Sequence, residues 1–179
     1  MNQAVKSPYD KQMSDILQVA LGVQRAWAAP NQPGATLEAA GEAFAKTVGH
    51  RLYTVTQMLS GGLEVERIYS TNITIYPVGG RKPMLPNAHT QRVRAEMKPF
   101  LAKTPAEFAP LFPDHETITS LGLGSVMNLP VVFGGLLLGT VNLLDSEGAY
   151  QEQHVEQAML IAQQIAPALL GPSVQDAIH

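Results

Sequence analysis

The chain has no cysteine in 179 residues. That absence excludes thiol nucleophiles, thiolate zinc sites, iron–sulfur clusters, CxxC redox chemistry and disulfides together. Tryptophan occurs once, at Trp27, and charged residues make up only 15% of the chain, with a formal net charge of −3. Such a balance suits one globular domain and argues against a dedicated nucleic-acid binder. No run of about 18 apolar residues occurs that would cross a membrane, and Met1–Pro8 lacks a basic segment followed by an apolar one. Beyond Lys103 there is no Lys or Arg at all. The composition predicts a single cytoplasmic domain over residues 1–179, with neither nucleic acid nor membrane as partner.

What is present is patterned. From Asp10 to Ala28, the positions Met13, Ile16, Leu17, Ala20, Val23 and Trp27 follow three- and four-residue spacing and predict an amphipathic helix. Thr36 reads as the N-cap of a second helix through Leu37, Ala40, Phe44 and Val48, closed by Gly49. A hairpin follows over 52–58 and 63–69, turned by Ser60-Gly61-Gly62, with Leu63, Val65, Arg67 and Tyr69 sharing one face. Residues 71–123 form an irregular insert interrupted by seven prolines. Within it we expect a short helix near 90–97, an edge strand near 100–103, and helical turns at 105–111 and 115–121. A second hairpin, 125–132 and 136–144, turns at Phe133-Gly134-Gly135. A last helix over 153–170 is kinked by Pro167 and stopped by Gly171-Pro172. The order helix, helix, hairpin, insert, hairpin, helix predicts an α+β fold: an antiparallel sheet with terminal helices on one face and the insert over the other.

Charge is distributed unevenly. Residues 79–103 carry six basic residues against Glu96 alone, whereas 104–179 carry eight acidic residues and no basic one. Arg81 and Lys82 sit in a Gly/Pro-framed loop of the insert, placed to meet a phosphate or carboxylate. Arg92, Arg94 and Lys98 read as a solvated helix face.

The second hairpin supplies the polar candidates. A three-residue turn sets Asn128 opposite Thr140 and Val126 opposite Asn142, so both amides share a face with Pro130 and Leu138. The opposite face, including Met127, Leu129, Gly139, Val141 and Leu143, packs on the helices, with Gly139 admitting a helix backbone. Asn128, Thr140 and Asn142 then line a cavity in which a ligand, water or neighbouring backbone satisfies the amides. Tyr69 and Tyr76 flank the insert and suit either stacking on a flat ligand or core packing. Asp114-His115-Glu116 diverges by about 100° per residue on a helix and cannot converge on a metal. Asp114 reads as an N-cap. The other histidines are too scattered for a metal site. Ser125 lacks GxSxG context, and nothing pairs a nucleophile with a base.

The segment Leu121-Gly122-Leu123-Gly124-Ser125-Val126-Met127-Asn128-Leu129-Pro130-Val131, then Gly135 and Leu138-Gly139-Thr140-Val141-Asn142-Leu143-Leu144 and the closing helix, resembles the GAF domain family, relatives of PAS domains. Tyr76-Pro77-Val78-Gly79-Gly80-Arg81-Lys82-Pro83 is similar to a subgroup of small stand-alone bacterial members. The resemblance covers about residues 10–170, the expected core, and implies an α+β antiparallel sheet of about six strands with a ligand pocket between one sheet face and the insert. It also implies a sensory role in signal transduction, since members bind cyclic nucleotides, tetrapyrroles or small metabolites. Cysteine-dependent bilin attachment and methionine sulfoxide reduction do not fit a chain without cysteine, and at 179 residues no output domain is expected beside the GAF-like one.

The resulting expectation is a non-catalytic sensor. An anionic metabolite or nucleotide-like ligand is held by Tyr69, Tyr76, Arg81, Lys82, Asn128, Thr140 and Asn142, with no cofactor identified. The alternative is a dimeric scaffold or regulatory subunit with a vestigial pocket, acting on a separate signalling protein. A homodimer is expected in either case, because the first helix carries Trp27 and the last carries a second stripe of Ile161, Ile165 and Ala168.

Overall fold

The computed structural model describes residues 8–59 and 61–170. Ser60, the Gly171-Pro172 stop and the side chain of Met13 lie outside the described residues. Helices α1 (Pro8–Ala26) and α2 (Gly34–Thr47) precede strands β1 (Leu52–Met58), β2 (Glu64–Ser70) and β3 (Arg81–Pro83). The insert continues through α3 (Ala88–Thr90), a π-helical turn (Gln91–Ala95), β4 (Phe100–Ala102), α4 (Pro105–Phe108) and α5 (His115–Ser120). Strands β5 (Ser125–Phe133) and β6 (Leu136–Asp145) follow, then α6 (Glu152–Ala162), a 3₁₀ turn (Gln163–Ile165) and α7 (Ala166–Leu169). The six strands form one antiparallel sheet in the order β3-β2-β1-β6-β5-β4. The α+β architecture of the sequence reading is therefore the architecture observed.

Two layers cover the sheet. On one face Val23 of α1, Leu37 and Phe44 of α2 and Ile161 of α6 pack against Tyr53, Val55, Leu129, Val141 and Leu143. On the other, Tyr76, Phe108, Ile118 and Leu123 of the insert pack against Leu52, Val126 and Leu144. Ion pairs tie the basic insert to the acidic half: Lys82 meets Asp114 at 2.8 Å and Lys103 meets Glu152 at 2.8 Å.

Several local expectations are corrected. Helix α2 starts at Gly34 behind Pro33, so Thr36 lies inside the first turn and donates to Gln32 Oε1 at 2.7 Å instead of capping. Gly49, at φ +74, does close that helix, its N–H donating to Phe44 O at 2.9 Å. The α6 helix breaks at 163–165 because Pro167 has no N–H to donate to the carbonyl of Gln163. Ile161 and Ile165 are fully buried in the core, so they do not form a free second stripe. Trp27 is engaged within the chain, its Nε1 donating to Gln164 O at 2.9 Å. Gly139 admits a strand backbone, not a helix: a Cβ there would overlap Thr56 O of β1.

Candidate functional site

Register decides which side chains meet between sheet and insert. The β5–β6 turn uses only Gly134 and Gly135, at φ +59 and +77, and pairs Phe133 with Leu136. A two-residue turn alone would have put the two amides on opposite faces. One extra β6 residue at the bulge near Val131 and Val132 restores the phase. Asn128 consequently pairs with Asn142 and Pro130 with Thr140, two residues from the expected register but on the expected face. Gln163 holds the bulge, accepting from Val132 N at 3.2 Å and donating to Pro130 O at 2.8 Å.

A second bulge has the opposite consequence. Between Val55↔Tyr69 and Thr56↔Arg67 strand β2 carries an extra residue, Ile68. Val65 and Arg67 face the insert, whereas Tyr69 turns to the helix side and lies 5.2 Å from the Tyr53 ring. Period-two alternation therefore misplaces Tyr69, which does not line the cavity.

Arg81 and Lys82 lie in edge strand β3 rather than in a loop, and a strand sends neighbours to opposite faces. Lys82 pairs with Val65 and lines the cavity. Arg81 pairs with Glu66, donates to its carboxylate at 2.8 Å, and points away.

The space so enclosed is a cavity of about 560 Å³. Its floor is Leu52, Thr54 and Thr56 of β1, Val65 and Arg67 of β2, Val126 and Asn128 of β5, and Thr140, Asn142 and Leu144 of β6. Its roof is insert, including Tyr76, Met84, Leu85, His89, Val93, Phe112 and Ile118. Of the residues expected from sequence, the structure brings together Tyr76, Lys82, Asn128, Thr140 and Asn142, and leaves Tyr69 and Arg81 outside.

One polar chain crosses the floor, and its hydrogen-bond directions are fixed from one end. Asn142 Nδ2 faces the Thr54 carbonyl at 3.5 Å and its hydroxyl at 3.2 Å. Asn142 Oδ1 therefore accepts, from Asn128 Nδ2 at 2.7 Å and from Thr140 Oγ1 at 3.0 Å. Thr140 has spent its hydrogen, so Thr56 Oγ1 donates to it at 2.7 Å. Asn128 Oδ1 is left to accept from His89 Nε2 at 3.0 Å, which places the imidazole proton on that nitrogen. Burial lowers the His89 pKa, opposed by the bond to Asn128 and reinforced by Lys82. The ring is also packed edge-on against Phe100 and Phe112, with centroids 5.0 and 4.9 Å away.

The other polar group is unexpected from sequence. Arg67 is only 8% exposed. Its guanidinium lies 5.0 Å from the Tyr76 ring centroid, and Nη1 donates to Pro77 O at 3.1 Å. Gly80 makes room for it, since a Cβ there would come within 2.9 Å of Nη1. Arg67 Nε and the Tyr76 hydroxyl are buried without a hydrogen-bond partner. Burial lowers the Arg67 pKa, while nearby Tyr76 and Asp114 raise it. Burial, then Asp114, pushes the Tyr76 hydroxyl up to about 12 against the opposing pull of Arg67, although no hydrogen bond of ordinary geometry joins Tyr76 to Asp114. Asp114 sits at the N-cap position of α5 but does not cap it, its carboxylate going to Lys82 instead. The available signal for Arg67 was an arginine at an inward position of a half-apolar strand. Among the described residues no group of three His, Asp or Glu could hold a metal ion, and no helix is long and apolar enough to cross a membrane.

The family model of the GAF domain matches residues 35–169, and the chain belongs to that family. The GAF domain of a phosphoenolpyruvate-protein phosphotransferase from Coxiella burnetii is similar in fold, with 17% identity, TM-score 0.70, and 96% of this chain and 99% of that one covered. The corresponding Acinetobacter domain is 10% identical with TM-score 0.69, over 94% of this chain and 97% of that one. The chromophore-binding domain of a bacteriophytochrome from R. palustris is 13% identical with TM-score 0.67, over 95% of this chain and 64% of that one. No curated protein sequence matches the chain.

Proposed function

We propose that this GAF domain is a non-catalytic sensory or regulatory module that binds a small, partly apolar, anionic molecule between sheet and insert. The observation that carries this reading is the cavity of about 560 Å³, apolar over most of its wall yet floored by an ordered chain of threonine and asparagine side chains. A few fixed polar groups in an apolar hollow are the usual form of a small-molecule site. Two basic residues, Arg67 and Lys82, against Asp114 alone favour an anion. The fold neighbour from R. palustris that holds a chromophore adds support for a ligand of some kind. His89, the one imidazole in the lining, is engaged by Asn128 rather than set beside a nucleophile.

Native mass spectrometry of the purified protein, followed by a thermal-shift screen of metabolites, tests the proposal. A non-covalent adduct, or a metabolite that raises Tm, is expected. An empty protein indifferent to every compound would favour the alternative, a scaffold with a vestigial pocket acting on a partner protein. That alternative draws on Leu17 and Leu21 of α1 and Leu160 of α6, which are 52%, 42% and 47% exposed. A homodimer through these terminal helices is compatible with both readings, and sedimentation of a Leu17→Glu, Leu21→Glu variant as a lighter species than wild type would support it.

A further inference from the structure

We propose that the end of the cavity beneath residues 76–80 recognises the head group of a singly charged amphipathic anion, with Arg67 and Lys82 seating the head and Asp114 rejecting a second negative charge. The proposal rests on the reading of the cavity as a ligand site and names the ligand class and the residues that select it.

Arg67 is built in rather than left on a surface. The backbone of the 77–80 loop clasps it on both sides: Arg67 N donates to Gly80 O at 2.8 Å, and Gly79 N donates to Arg67 O at 2.8 Å. The guanidinium lies over the Tyr76 ring, and the missing Cβ of Gly80 gives Nη1 its room. A guanidinium carries five N–H donors, yet among the described residues its side chain makes one hydrogen bond, to Pro77 O. No carboxylate pairs with it among the described residues. A buried cation in that condition is costly unless an acceptor completes it, and the Tyr76 hydroxyl beside it is also without a partner.

Asp114 is the nearby acid. It pairs with Lys82, reaches Arg67 only through space, and is itself part of the lining. Two positive charges and one negative leave a single net positive charge at this end. A carboxylate or comparable monoanion neutralises it. A dianion brings excess negative charge against Asp114, whose side chain is three-quarters buried, and repulsion involving a partly buried charge is less screened than at an open surface. The remainder of the wall, including Val65, Leu85, Phe112 and Ile118, suits an apolar body.

Calorimetric titration with octanoate, octyl phosphate at pH 8 and octan-1-ol separates charge from chain, because all three share the alkyl body. Octanoate is expected to bind at least about tenfold tighter than the other two, the scale of one charge-assisted hydrogen bond. Arg67→Met should bring octanoate down to the level of octan-1-ol while octan-1-ol binding is unchanged, which also shows that the variant is folded. Arg67→Lys should fall between. Asp114→Asn should strengthen octyl phosphate by more than it strengthens octanoate. Equal binding of octanoate and octan-1-ol to the wild type, or an octanoate affinity indifferent to Arg67, overturns the proposal and leaves the cavity reading standing. Equal gains for both anions in Asp114→Asn overturn the selection role of Asp114. Failure of all three compounds to bind overturns the proposal, and the cavity reading falls with it only where native mass spectrometry and the metabolite screen are empty as well.

Discussion

Asn128 and Asn142 stand directly opposite each other across β5 and β6, and the Asn128 amide donates to Asn142 Oδ1 at 2.7 Å. Asn142 is the hub: it accepts from two side chains and donates to Thr54. Asn142→Ala is expected to destabilise the fold by about 2–4 kcal/mol, because several partners lose their bonds at once. Asn128→Ala should cost less, about 1–2 kcal/mol, since its loss strands fewer groups. Urea unfolding of both variants checks the order.

His89 makes stability depend on pH. Burial holds its folded pKa below the ordinary imidazole value, so as pH falls below about 6.5 the unfolded chain takes up the proton first. The stability contributed by the neutral ring is present above that pH and is lost as pH falls towards the folded pKa. The wild type should therefore lose more stability between pH 7.5 and 5.5 than His89→Gln does. Equal losses in paired urea titrations would contradict the buried, neutral imidazole.

Gly139 and Gly134 are predicted to differ for a geometric reason. A Cβ at Gly139 runs into the backbone of β1, at Thr56 O and Gln57 Cα, so Gly139→Ala should cost about 3 kcal/mol or more by forcing strands apart. Gly134 meets nothing within 4 Å, and its alanine variant should cost only the left-handed backbone penalty, about 1–2 kcal/mol. Thermal denaturation compares them.

Arg81→Ala is expected to be nearly silent. Its ion pair with Glu66 is largely exposed, at 61% for the arginine side chain, and such pairs contribute about 0–1 kcal/mol. Neither unfolding nor octanoate titration should move appreciably, in contrast to Arg67→Met.

These expectations show where the sequence was legible. Hydrophobic period and Gly turns located the helices and both hairpins, because those signals are local. The shared face of Asn128, Thr140 and Asn142 was also legible, but for a partly compensating reason: the turn is one residue shorter than expected and a bulge restores the phase. Tyr69 was lost to a bulge at Ile68 that no local signal announces. Arg81 and Arg67 exchanged importance because a three-residue edge strand, paired only through β2, sent Arg81 outward while the 76–80 loop closed over Arg67. Long-range pairing set both outcomes.

The central claim is that the sheet–insert cavity receives the ligand. Amide shift mapping by ¹⁵N NMR during an octanoate titration tests it most directly. The account predicts saturable shifts concentrated at Thr54, Arg67, Tyr76, Asn128 and Thr140, with little change at Leu17 and Leu21. Shifts confined to the exposed face of α1, with the cavity residues unmoved, would contradict it.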